Sequence, residues 1–506
     1  MELKRATNKF KNWLKDGYNL TFFIILIVFI LFRLYFFFST FQQPLWWDEA
    51  YYMNNARVWT SNFSWEIDSN RPVLFPFVLT VFSFLGFKGE FLPRIFLLLS
   101  SIAIVPLIFA IGKIFFDKKV ALISAIISAV FWSFAFFSYR ILVDIPLVML
   151  WLATIYLFFN AYYKEKSYKS FIIPGIFLGM SFLMKFSSIL LVFMVGIYLF
   201  ATEKLKVFSD KKAIAFYLAS LITVLPFFIW QYLSYGSPLA FFSSSVSSST
   251  AHSFLQSLFD QTIFAIKAMH FIFMILFIVG VLVIISYVLL LINKIPYKQS
   301  LPNKYFFILL WIIVSLIFFG WFDYGQYIEE RYFFIFYPAL FLLAGEGAVY
   351  IHEKINKYNK QIAFAVIIII LTFGSYQNIT HANQIISLKK ESFLPLKQAG
   401  LYVNQNTNPQ DMIFLIEEPA EIVYYSERNY FYLTNQSEQK ILELIKEKSL
   451  KYAVLSFYYS LNDEKKRAIA QFIFNDKGHF TPVASFGPYI NEEKTVPLVV
   501  VFKINV

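Results

Sequence analysis

Residues 18–39 read YNLTFFIILIVFILFRLYFFFS, a stretch whose single charge is Arg33. A helix rises about 1.5 Å per residue, so about 20 apolar residues cross a hydrocarbon core. The stretch therefore reads as a membrane-spanning helix. Stretches of the same kind recur near 91–116, 119–138, 141–163, 212–233, 268–292, 305–322, 332–351 and 361–379. Residues 170–202 form a 33-residue apolar run whose single charge is Lys185, too long for one crossing and short for two. Basic loops flank both ends, so this run reads as a tight helical hairpin turning near Lys185. The expectation is a mainly α, polytopic bundle of about eleven spans. The shorter run 72–87, opened by Arg71-Pro72, reads as an interfacial helix.

Composition narrows the class further. The chain has 506 residues, 58% hydrophobic, 21% aromatic and 15% charged, with mean hydropathy +0.60. Soluble domains carry about 25% charged residues, so an ordinary cytosolic enzyme is excluded. Disorder is excluded by the aromatic content. The net charge of +12 is not gathered on one face, which argues against a nucleic-acid partner. With no cysteine, disulfide and thiolate chemistry are absent.

Charge placement sets the orientation. The N-terminal segment and the loops near 113–119, 164–169, 202–212, 293–304 and 352–360 hold 21 Lys and Arg. The opposite side holds eight, all isolated: Arg57, Arg71, Lys88, Arg94, Arg140, Lys185, Lys267 and Arg331. The first side is thus expected to be cytoplasmic, with the N-terminus there, the first helix an uncleaved anchor and the long first loop, 40–90, outside. The chain divides into a membrane portion, 1–379, and a polar tail, 380–506, expected outside the cell membrane. In that tail Asp411–Ile416, Lys451–Tyr459 and Val496–Val506 read as strands. Ser437–Ser449 reads as a helix capped by Ser437, and a second helix runs from Asn462 to Gly478. Their order suggests a small α/β domain. Three sequons, at Asn62, Asn378 and Asn435, are expected to face outward.

Ionisable residues in membrane segments are functional candidates, since each costs about 2.5–3.5 kcal/mol on insertion scales. Here they gather at the outer ends of spans. Asp48 and Glu49 follow the first helix, Arg71 precedes the interfacial helix, and Arg140 and Asp144 stand four apart, on one helical face. Lys185 sits in the hairpin turn, Glu329, Glu330 and Arg331 open the tenth span, and Arg33 lies inside the first. Glu66, Asp68 and Lys88 read as ordinary loop charges. The pattern implies a polar cavity at the outer membrane surface. A carboxylate there can take a proton from a bound hydroxyl, and arginine suits a phosphate because it binds two oxygens at once.

The motifs are more specific. Trp47-Asp48-Glu49-Ala50-Tyr51-Tyr52 with Ala56-Arg57, Asn70-Arg71-Pro72-Val73-Leu74, Pro93-Arg94, Gly112-Lys113-Ile114-Phe115, Arg140 to Asp144-Ile145-Pro146, Gly179 to Lys185, and Glu330-Arg331-Tyr332 with Tyr337-Pro338 resemble elements of the protein O-mannosyltransferase and aminoarabinose transferase family. These are membrane glycosyltransferases that use polyprenyl-phosphate sugars. The resemblance covers about 45–350 and not the C-terminal domain. It implies Asp48 as principal catalytic carboxylate with Asp144 as partner and Glu49 beside them. Arg71 and Arg331 would hold the lipid phosphate, supported by Tyr52, Arg57 and Lys185, with Arg33, Arg140 and Glu330 as looser support. Position 70 is Asn, where relatives often have His or Glu, and 51 is Tyr, where some have Arg.

The implied partners are a polyprenyl-phosphate-linked sugar and an outer acceptor on protein, lipid or glycan. The sequence requires no cofactor, and Asp48 with Asp144 leaves room for a divalent cation. Two alternatives stand beside this reading. Trp321-Phe322-Asp323-Tyr324-Gly325 resembles a motif of oligosaccharyltransferases, but between two spans rather than in a soluble domain. A transporter or lipid flippase also tolerates buried charge, yet the halves of the chain do not repeat and the charges avoid the mid-membrane.

Overall fold

The computed structural model describes residues 8–505 except 9, 62, 64, 68–70, 88, 165–166, 244–252, 295–302, 322–327, 417–419, 433–436, 459–463 and 492–493. Asn70, Asp68, Lys88, the Trp321–Gly325 motif beyond its first residue, the serine-rich stretch near 243–250 and the sequons at Asn62 and Asn435 lie outside the described residues.

The membrane portion comprises α1 (Gly17–Thr40), α2 (Trp47–Val58), α3 (Leu74–Phe84), α4 (Phe91–Phe115), α5 (Lys118–Val130), α6 (Trp132–Phe137), α7 (Asp144–Lys164), α8 (Ile172–Met184), α9 (Ile189–Glu203), α10 (Lys211–Tyr235), α11 (Phe254–Lys267), α12 (His270–Lys294), α13 (Asn303–Trp321), α14 (Tyr337–Asn356) and α15 (Lys360–Lys389). Ten of the eleven expected spans each coincide with a helix, and the remaining one, 119–138, is divided between α5 and α6. Among the described residues, seven helical stretches are long and apolar enough to cross a membrane, and shorter apolar helices lie among them. The chain is a multi-pass membrane protein.

Local chemistry sets the boundaries. Asp16, Asp117 and Asp210 each cap the following helix by accepting backbone N–H bonds, as short acidic side chains do at orphaned helix donors. The expected hairpin turns at Lys185, which ends α8 in an extended conformation before α9 begins. The expected span 119–138 is broken at Phe131, where the backbone leaves the helical conformation and the N–H of Trp132 is accepted by Asn378 Oδ1 at 3.2 Å. Asn378 is fully buried and its amide also donates to Gly374 O, so this sequon is not presented outward. The helix α11 went unread because Gln256, Asp260 and Gln261 interrupt its apolar run.

Small residues let helices cross closely. A Cβ at Gly280 of α12 would lie 1.9 Å from Leu343 O of α14, and one at Gly347 would lie 2.0 Å from Leu276 O. Such backbone contact replaces the hydrophobic driving force that lipid does not supply.

The C-terminal part adds α16 (Leu394–Asn406), β1 (Met412–Leu415), α17 (Ala420–Ser426), β2 (Asn429–Tyr432), α18 (Glu438–Glu447), β3 (Tyr452–Ser456), α19 (Glu464–Asn475), β4 (Phe480–Asn491) and β5 (Lys494–Ile504). The sheet order is β2-β1-β3-β5-β4. β1 runs parallel to β2 and β3, while β5 runs antiparallel to β3 and β4. Ser437 caps α18 as expected, its hydroxyl accepting from Lys440 N. The sheet carries its own apolar core of Phe414, Ile441, Ile445, Leu455, Ile473 and Phe502. The domain docks through α17 onto α2: Asn54 donates to Ala420 O at 3.0 Å and Arg57 to Tyr424 O at 3.0 Å.

Candidate active site

Three short segments meet where α2 and α7 begin. Asp48 and Glu49 lie in the first turn of α2, where carboxylates face the positive end of the helix. Asp144 opens α7; Pro146 in that first turn fits because its missing N–H has no helical partner there. Arg331 sits in a one-turn 3₁₀ segment just before α14.

Asp48 is the hub. Its Oδ1 meets Arg71 Nη1 at 2.9 Å and its Oδ2 accepts from Arg331 Nη1 at 2.9 Å. Arg71 also bonds the Tyr52 hydroxyl, and its guanidinium lies 5.2, 4.6 and 5.7 Å from the rings of Trp47, Tyr51 and Tyr52. Asp144, almost fully buried, accepts from Lys185 Nζ at 2.7 Å, and Lys185 lies over the Tyr332 ring. Glu329 pairs with Arg331 from the solvent side. Three cations and two carboxylates, Asp144 buried and Asp48 half-buried, thus alternate within one cluster, and both Asp48 and Asp144 act electrostatically on Arg331 and Tyr52.

These neighbours fix the protonation states. Burial pushes the Asp48 carboxyl up, but Arg331 and Arg71 together hold it below the usual carboxylate range. Both guanidiniums are held above their ordinary value: burial opposes this, but Tyr52 and Asp48 outweigh it for Arg71, and Asp144 and Asp48 for Arg331. Burial pushes the Tyr52 hydroxyl up to about 12 and raises Glu330 as well. Asp48, Arg71 and Arg331 are therefore ionised throughout the physiological range, with Tyr52 neutral.

The remaining expected residues fall elsewhere. Glu49 is fully buried; its carboxylate accepts from Trp46 N at 2.8 Å and from Ile141 N, and pairs with Arg140 at 3.3 Å. Arg140 precedes α7 instead of sharing a helical face with Asp144. It reaches Pro44 O and Lys389 O and lies 4.1 Å from the Trp46 ring. Arg57 stands nine residues along α2 from Asp48, about 13 Å away by helical rise. There it binds Tyr424 O and Glu427 beside a cavity of about 580 Å³ bounded by α2, α3 and the C-terminal domain. Arg33 is buried against Phe29 and Phe32 inside α1, where its own carbonyl accepts from the Tyr139 hydroxyl at 3.2 Å. Arg94, read only as part of a motif, is a buried cation paired with Glu90.

No group of three or more His, Cys, Asp or Glu side chains able to hold a metal occurs among the described residues. Both Asp48 oxygens face guanidiniums and Asp144 faces an ammonium, so this arrangement of donors does not fit a divalent cation.

Residues 70–230 match the family model of the dolichyl-phosphate-mannose-protein mannosyltransferases. No curated protein sequence matches the chain. Among solved structures, ArnT from Cupriavidus metallidurans bound to undecaprenyl phosphate is similar over 96% of this chain and 98% of its own, with 12% identity and a TM-score of 0.61. The oligosaccharyltransferase AglB from Archaeoglobus fulgidus, in complex with an inhibitory peptide and dolichol-phosphate, is similar over 87% of this chain and 70% of its own, with 13% identity and a TM-score of 0.59. The arabinofuranosyltransferase AftD from Mycobacteria is similar over 95% of this chain and 41% of its own, with 10% identity and a TM-score of 0.53. The fold is the one these three solved structures share. The family match covers residues 70–230, about a third of the chain.

Proposed function

We propose that the protein transfers a single sugar from a polyprenyl-phosphate donor to a hydroxyl or amine at the outer membrane face, in one inverting step with Asp48 as general base. The observation that carries this reading is the convergence of Arg71 and Arg331 on Asp48, beside the Asp144–Lys185 pair. Two guanidiniums that meet the two oxygens of one carboxylate also suit the oxygens of one phosphate. The carboxylate between them stands close to the carbon that the phosphate leaves.

Asp48 takes the acceptor proton as the acceptor oxygen or nitrogen forms its bond to the anomeric carbon. The bond from that carbon to the phosphate oxygen breaks, and its electron pair remains on the lipid phosphate. Charge on the leaving group grows along the reaction, so Arg71 and Arg331 bind the transition state more strongly than the donor, which is the condition for acceleration. Asp144, held by Lys185, fits a hydrogen bond to the sugar or acceptor. The excess of Lys and Arg on the opposite loops supports placing this chemistry outside. The outer acceptor is a protein, lipid or glycan.

The fold shared with AglB supports a second reading, transfer of an oligosaccharide from a lipid diphosphate. Purified protein in lipid should be offered radiolabelled polyprenyl-phosphate monosaccharides and lipid-diphosphate oligosaccharides, with membrane extract as acceptor. Label transferred from the monophosphate donors is expected. Transfer from the diphosphate donors alone would favour the second reading, and transfer from neither would overturn both.

A further inference from the structure

Two short straps carry the acids, 43–46 before Asp48 and 139–143 before Asp144, and buried charge ties them together. Arg94 of α4, fully buried, donates to Tyr139 O and to Gln43 O, each at 2.7 Å, and so holds one carbonyl of each strap in a single guanidinium fork. Gln43 adds a bond to Tyr139 O at 2.9 Å. Glu49 and Arg140 repeat the link further along. Glu49 accepts from Trp46 N and Ile141 N, while Arg140 reaches Pro44 O at 3.2 Å.

The C-terminal domain supplies one side chain to this lock. Tyr425 of α17 accepts from Leu45 N at 2.9 Å and donates to Glu90 at 3.0 Å, and Glu90 is the ion-pair partner of Arg94. Desolvated charges are costly to bury, and with geometry this complete they fix one arrangement of the groups they join. Neither Arg71 nor Arg331 takes part in it.

We infer that Tyr425 is a positioning residue for transfer, through which the C-terminal domain sets the spacing of Asp48 and Asp144 by way of Leu45 and the Glu90–Arg94 pair. The inference rests on the catalytic reading of those two acids. It gives the domain a part in turnover that is independent of which acceptor it meets.

The test separates turnover from donor binding. Tyr425→Phe keeps the ring and removes only the hydroxyl. Its kcat should fall about ten- to a hundredfold, as displacement of a reacting group by about 1 Å does. The Kd for undecaprenyl phosphate should stay at the wild-type value, because the Arg71–Arg331 pair is untouched. Arg94→Lys, which keeps the charge but cannot hold both carbonyls in one fork, should show the same split and serves if the tyrosine variant does not fold. Wild-type turnover in both variants, or parallel loss of turnover and lipid-phosphate binding, would overturn the inference. A wild-type protein that binds the lipid phosphate and transfers nothing would instead overturn the catalytic reading beneath it.

Discussion

Replacing Asp48 by Asn should strengthen lipid-phosphate binding while abolishing transfer. In the free protein each Asp48 oxygen holds one guanidinium at 2.9 Å, with the Asp48, Arg71 and Arg331 side chains 24%, 26% and 14% exposed. A phosphate entering between Arg71 and Arg331 must compete with that carboxylate and accept its like charge. Exposed ion pairs contribute about 0.2–1 kcal/mol and desolvated interface pairs about 1.5–7 kcal/mol. Partly buried pairs fall near the junction, about 1 kcal/mol each. Removing both therefore frees about 2 kcal/mol for the ligand, about a 30-fold fall in Kd. Loss of a general base should lower kcat by about 10²–10⁴. Binding can be followed by tryptophan fluorescence with undecaprenyl phosphate in lipid nanodiscs, since Trp47 lies 5.2 Å from the Arg71 guanidinium. An Asn variant that binds the lipid phosphate no more tightly than wild type would refute the competition between carboxylate and phosphate.

Other outcomes follow from the same geometry. Arg331→Ala should weaken undecaprenyl-phosphate binding by about 2–3 kcal/mol, the strength of a charged hydrogen bond with its ion pair, read in the same titration. Asp48 is held below the usual carboxylate range, so its contribution to stability is present above the unfolded pKa and lost as pH falls through the lower folded value. Arg71→Ala should therefore move the acid limb of kcat/KM upward, and an unmoved limb would mean that another group titrates. Gly280→Val should lower the amount of folded protein or its melting temperature, because a Cβ there meets Leu343 O at 1.9 Å; overpacking of this kind costs about 1–3 kcal/mol or more. Ser437→Ala should cost the C-terminal domain about 1 kcal/mol through loss of the α18 cap, seen as earlier unfolding of the sheet by hydrogen exchange.

The spans were legible because an apolar run of about 20 residues has few alternatives in a chain this poor in charge. The hairpin at Lys185 followed from its length and flanking basic loops. Less legible was the division of labour among adjacent charges. One residue turns a helix by about 100°, so Asp48 meets the two guanidiniums while Glu49 enters the buried lock. The four-residue spacing of Arg140 and Asp144 suggested a shared face, but α7 starts only at Asp144. Arg57 looked close to the site in sequence and is carried away along α2. The strands β2 and β4 and the helix α17 are short or lack a sharp pattern, so sequence gave them no signal. Tyr425 lies 380 positions from Leu45, and its role arises only from the docking of α17 on the membrane portion. Arg94 carried a detectable signal: a cation among apolar neighbours near a span end, paired four residues back with Glu90.

The central claim, that Asp48 drives sugar transfer from a polyprenyl phosphate, is tested most directly by a time course of labelled sugar leaving the donor. Wild-type protein and Asp48→Asn should be compared side by side in lipid with the acceptor present. The account predicts steady transfer by the wild type and near-complete loss in the variant, although the variant still binds the lipid phosphate. Transfer by Asp48→Asn at the wild-type rate would contradict it.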